Sequence, residues 1–128
     1  MKKTLLENID VTIELEDGIV VAKWKSSFVD LNVAKQAVKW RLECTNFTSY
    51  PLLSNIKLVK SSTKEARDFL ATEKGCEGII AAAVLIDSPI SSMIGNFFIR
   101  VSKPLRPTKI FTIEEDAKKW LSQFVKKD

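Results

Sequence analysis

Histidine is absent from this chain. Its absence removes the general base of Ser-His-Asp and Cys-His catalysis and the commonest nitrogen ligand of zinc. Cysteine is scarce: the two present, Cys44 and Cys76, form no CxxC. They read as small buried hydrophobes and not as a disulfide or a metal pair. Long apolar runs are missing too; none approaches the roughly eighteen residues that a bilayer span needs. The opening Met1-Lys2-Lys3-Thr4-Leu5-Leu6-Glu7 has no long apolar stretch and no small-residue cleavage site. It predicts no secretory signal, with the cytoplasm as the default location. Convergent oxygen ligands for calcium or magnesium are lacking, since Asp87 stands alone. No metal and no cofactor is expected.

Charge of one sign is also weak. The formal net charge is +4, and the basic residues are spread along the chain. A solvated surface fits this better than a nucleic-acid footprint. A small basic group, Arg100, Lys103, Arg106 and Lys109, surrounds two prolines and offers attraction to an acidic partner, a phosphate or a membrane surface.

What is present is an ordinary globular composition, 45% hydrophobic over 128 residues. It suits one domain spanning 1–128. Val11, Ile13 and Leu15 alternate with polar residues and predict a half-buried strand. Asp17-Gly18 predicts a tight hairpin turn, with Ile19 to Lys25 returning as a second strand. Asp30 is placed to cap a helix over Leu31 to Thr45. Its apolar arc is wide, with Val33, Ala37, Trp40 and Cys44 on one side and Leu31, Val38 and Leu42 on the other. Such a helix either sits deep between elements or meets a partner. Leu52 to Val59 predicts a strand. Ser62-Thr63-Lys64-Glu65 reads as a capping box with Ser62 as the cap, opening a helix that Gly75 and Gly78 end.

Ile79 to Ile86 has no polar residue and predicts a central strand covered on both faces. Ser88-Pro89 then predicts a helix start, followed by a stripe of Ile90, Met93, Ile94, Phe97, Phe98 and Val101. Lys109 to Phe111 predicts a short strand. Thr112-Ile113-Glu114-Glu115 reads as a second capping box, before a helix with Ala117, Trp120 and Leu121 on one face. The element order is ββαβαβαβα. It predicts an α/β fold with a mixed sheet of about five strands, an N-terminal hairpin and four helices.

The residues Ala82 to Ile90, Ile94-Gly95-Asn96-Phe97-Phe98, Lys103-Pro104, Pro107 to Thr112, Glu114 to Ala117 and Trp120-Leu121 resemble the SpoIIAA-like superfamily of STAS and Sec14-type domains. The likeness is to small bacterial proteins of that group and extends from about Val33 onward. Tyr50 to Leu53 and Lys64 to Arg67 add to it. The resemblance implies a non-enzymatic regulatory or protein-interaction module. Its known members include anti-sigma-factor antagonists switched by phosphorylation of a serine at a helix start. By element order that place is Ser61, Ser62 and Thr63, where a phosphate would face helix N–H groups. The plainer alternative is that Ser62 only caps the helix.

Asp87, Ser88, Ser91 and Ser92 form a second candidate loop. It follows the carboxyl end of the predicted central strand, where open α/β sheets bind ligands and partners; the alternative is a simple helix start. No base accompanies Ser88, so a catalytic role is not expected. The Sec14 side of the resemblance implies a small hydrophobic-ligand or lipid-binding domain instead, with Phe28, Trp40, Phe97 and Phe98 as cavity walls. A protein partner is expected. A homodimer through helix 31–45 and Ile99 is a further reading.

Overall fold

The computed structural model describes residues 2–87 and 105–126. The elements are β1 (Lys2–Glu7), β2 (Val11–Glu16), β3 (Ile19–Trp24), β4 (Phe28–Val29), α1 (Leu31–Cys44), β5 (Tyr50–Asn55), β6 (Ser61–Ser62), α2 (Lys64–Leu70), β7 (Ile79–Leu85), β8 (Thr108–Phe111) and α3 (Glu114–Ser122). The helix expected after Ser88, with its Met93 and Phe97 stripe and Ile99, lies outside the described residues.

Six strands form the main sheet, in the order β1-β2-β3-β5-β7-β8. The first three pair antiparallel. From β3 onward every neighbour is parallel. Asp17 and Gly18 both have positive φ, 51° and 81°. That is the backbone of a tight primed hairpin turn, which matches the twist of the strands it joins. The sheet is one strand wider than expected because Lys2–Glu7 adds an antiparallel edge to β2. The strand predicted over Leu52 to Val59 stops at Asn55. The Asn55 side-chain oxygen accepts the Lys57 amide at 3.1 Å, turning the chain out of the sheet.

Period two divides the sheet into two faces. Ile19, Val21, Leu53, Ala81, Ala83 and Leu85 point to one side and pack under Ala117 and Leu121 of α3. Val11, Ile13, Val20, Ala22 and Leu52 point to the other. There α1 and α2 pack together, with Ala34, Ala37 and Ala66 buried between them and Trp24. The wide arc of α1 is therefore used within the fold: Ala37 and Leu42 are buried, while Trp40 flanks two clusters. β7 is hydrogen-bonded on both sides, but it lies beside the short edge strand β8 and not at the middle of the sheet.

Two caps differ from expectation. Thr63, not Ser62, begins α2, its hydroxyl accepting the Ala66 amide at 3.1 Å. Ser62 is held one residue earlier by strand pairing to Val29. Before α3 the cap position is Ile113, with no side-chain cap bond. The carboxylates Glu114, Glu115 and Asp116 in the first turn complement the helix dipole instead. α2 ends at Leu70, earlier than the glycines suggest. Gly75 folds back onto that end, where a Cβ would lie 2.2 Å from the Phe69 carbonyl oxygen.

Candidate functional site

The parallel strands β3, β5, β7 and β8 all end on one side of the molecule, at Trp24, Asn55, Leu85 and Phe111. The segments that follow them form one surface. β4 and β6 make a two-stranded parallel ribbon there, Phe28 opposite Ser61 and Val29 opposite Ser62. The amides of Lys60 and Ser61 both donate to the Ser27 carbonyl, at 2.8 and 3.1 Å. The turn between β1 and β2 joins the same end, because Val11 pairs with Trp24. Asp10 ties it down: its carbonyl accepts the Lys25 amide at 2.8 Å and its carboxylate accepts the Ser26 hydroxyl at 2.6 Å.

Large apolar side chains stand out on this end. Ile9 is 85% exposed, Phe28 51%, Leu58 51% and Ile113 56%, against Phe47 and Leu105 at the other end among the described residues. Each of the four sits in a segment adjoining a different strand terminus. Phe28 thus faces outward and does not wall a cavity as the sequence suggested. Four exposed large hydrophobes on one end are informative in a way that a scattered exposed leucine is not.

The expected interaction loop is here, and its three hydroxyls differ. Thr63 is engaged as the cap of α2. The Ser62 hydroxyl accepts Arg67 Nη1 at 3.1 Å, and the Ser62 carbonyl accepts the same nitrogen at 2.7 Å. Ser61 is exposed. Asp87 is exposed at the same end; Ser88, Ser91 and Ser92 lie outside the described residues. Glu114 opens α3 beside this surface. Its hydrogen bond to Lys118 holds the carboxyl below its ordinary value, with the charges of Lys118 and Lys57 adding to the effect. The same bond to Glu114, helped by a second from Lys118 to Glu16 at 3.0 Å, raises the Lys118 ammonium.

A second feature lies inside. Between the sheet and the layer of α1 and α2 is an apolar cavity of about 150 Å³. Its walls carry small residues on facing elements: Ala22, Ser54 and Ala82 from the sheet, Ala37 and Ala66 from the helices. Their short side chains leave the space unfilled. Trp24 lines it, its indole N–H donating to Ser54 Oγ at 3.2 Å. Trp40, expected as a wall, packs instead among the clusters around α1.

Arg41 borders the cavity and is 7% exposed. Its guanidinium donates to the carbonyls of Glu77 at 2.7 Å and Gly75 at 3.3 Å. Burial pushes its pKa down. Reasoning from the sequence missed this residue, although it falls three and four positions after Val38 and Ala37, within the apolar stripe. Of the basic group around the prolines, Arg100 and Lys103 lie outside the described residues. Arg106 turns inward, Nε donating to the Ile79 carbonyl at 3.1 Å, while Lys109 lies 5.7 Å over the Trp120 ring. Burial raises the Cys44 thiol, so it stays protonated. Among the described residues no metal-ligating group converges, and no helix is long and apolar enough to cross a membrane.

The family model of DUF7793, described as a domain of unknown function, matches residues 13–125. The chain belongs to the DUF7793 family. This DUF7793 chain also shares its fold with a crystal structure of an uncharacterised protein from Shewanella loihica. That protein is of the DUF3478 family and has a SpoIIAA-like fold. The two superpose with a TM-score of 0.61 at 15% identity, over 91% of this chain and 95% of the other. The SpoIIAA-like fold expected from the sequence is therefore the fold of this DUF7793 member. No curated protein matches it.

Proposed function

We propose that this DUF7793 domain is a non-enzymatic, cytoplasmic protein-interaction module, and that the carboxyl end of its parallel strands is the contact surface. The observation that carries the reading is the exposed set of Ile9, Phe28, Leu58 and Ile113 on that one end. Large apolar side chains left exposed together mark a surface that a partner covers. Ser61 is the exposed hydroxyl of the loop and the residue we assign as acceptor for a regulatory phosphate. A phosphate on Ser61 would place about two negative charges beside Leu58 and Phe28 and oppose an apolar contact there.

The test is site-specific photo-crosslinking in cells. A crosslinker at Leu58 is expected to give one discrete adduct, whereas one at Asp17, on the opposite end, gives none. Phe28→Ser should remove the Leu58 adduct, and Ser61→Asp should weaken it. Adducts from both ends, or from neither, defeat the reading. Self-association through this same end would appear as a homodimer in light scattering and as an adduct of doubled mass.

The apolar cavity favours a second reading, that the domain holds a small hydrophobic ligand. A cavity of about 150 Å³ is below the usual several hundred Å³ of a drug-sized site. It suits a compact ligand better than a full lipid.

A further inference from the structure

We propose that the cavity takes a compact apolar acid, one ring or a short chain bearing a single carboxylate, with that carboxylate paired to Arg41. The proposal rests on the ligand reading just given and adds the ligand's charge and the residue that recognises it. Size comes first. Engineered apolar cavities of about 150 Å³ admit benzene, and the space here, partly open to the surface, has a similar volume of about 150 Å³. A single ring or its equivalent fills it.

Charge comes second. Among the described residues lining the cavity are three arginines, Arg41, Arg67 and Arg106, and no aspartate or glutamate. A neutral ligand would leave that asymmetry unused; a cation would be repelled. Arg41 is the deepest of the three at 7% exposure. Its hydrogen-bond partners, the carbonyls of Glu77 and Gly75, are neutral. They occupy two of the five N–H groups that a guanidinium carries. A buried cation satisfied by dipoles alone lacks the counter-charge that normally offsets its desolvation. Glu77 carries an opposite charge, but its side chain is exposed and acts on Arg41 only as a weaker, longer-range attraction. A carboxylate entering the cavity supplies the missing charge and can accept two parallel N–H bonds. Arg106 engages Glu73 at 3.6 Å and the Ile79 carbonyl. Arg67 is held by the Ser62 carbonyl and hydroxyl; Arg41 is singled out as the most deeply buried of the three, its bonded partners being backbone carbonyls alone.

Titration calorimetry of the whole chain with sodium benzoate and with toluene, at one ionic strength, tests this. Both should bind one per chain, benzoate about tenfold more tightly, as expected for hydrogen bonds to a charged partner. Arg41→Met should erase the benzoate preference and leave toluene affinity unchanged. Ala82→Leu, which fills the floor, should abolish both while circular dichroism stays that of the parent. Toluene binding as tightly as benzoate overturns the assigned charge and leaves the cavity reading standing. Binding of neither probe overturns both. A benzoate preference that survives Arg41→Met overturns the role of Arg41. If Arg41→Met does not fold, the parent's own benzoate-to-toluene ratio decides.

Discussion

At the start of α2 a threonine hydroxyl stands 3.1 Å from the Ala66 amide, and the serine before it is bonded to Arg67. The two hydroxyls therefore carry different loads. Thr63→Ala should lower stability by about 1 kcal/mol, the usual cost of losing a cap. Ser62→Ala should cost less, because Arg67 Nη1 keeps the Ser62 carbonyl. Denaturant unfolding of the pair measures the difference, and equal losses would put the cap elsewhere. Glu114 and Lys118, 2.8 Å apart, give a pH signature. The Glu114 carboxyl is held below its ordinary 4.5. Its contribution is thus present above that value and lost as pH falls through the lowered one. Lys118 is raised above 10.5, so its share persists below that pH and is lost as pH rises through the raised value. Glu114→Gln should be less stable than the parent at neutral pH and equal to it in strong acid. Residue roles were the least legible level in the sequence. Ser62-Thr63-Lys64-Glu65 contains two hydroxyls in a row, and only the pairing of Ser62 with Val29 decides which one caps.

Elements were read better where one local signal dominates. The apolar run Ile79 to Ile86 gave β7 almost to the residue, and Asp17-Gly18 gave the hairpin. Gly18 is doubly constrained: its φ is +81°, and a Cβ there would lie 2.7 Å from Val125 Cγ1. Gly18→Ala should destabilise by about 1 kcal/mol or more, seen as a lower melting temperature. Leu121, fully buried where α3 meets the sheet, should cost about 2–5 kcal/mol when cut to alanine. β1 was invisible for a physical reason. Its register shifts between Thr4 and Leu6, and Leu5 and Leu6 both pack toward the Val11 and Ile13 cluster. A bulge puts two successive residues on one face and erases the alternation by which a strand is recognised. β4 and β6, two residues each, are too short to carry any period.

Over the whole molecule, the two layers covering the sheet should set the order of amide exchange. β3 and β5 are paired on both sides and buried on both faces. Their amides should exchange slowest, with β1 and β8 markedly faster, in a native-state hydrogen-exchange series; uniform protection would contradict the arrangement. The exposed end and the cavity were legible only after folding, since Ile9, Phe28, Leu58 and Ile113 are far apart in the chain and meet through topology alone. The bulge in β1 has a further consequence. An open sheet has two free margins that invite stacking into fibrils. Here one margin is only four residues long, and the other is kinked at Leu5 and carries exposed Lys2 and Lys3. Deleting Leu5 would straighten that margin and leave a flat ladder of unmet N–H and C=O groups, so the deleted chain should form thioflavin-positive aggregates at concentrations where the parent stays dispersed.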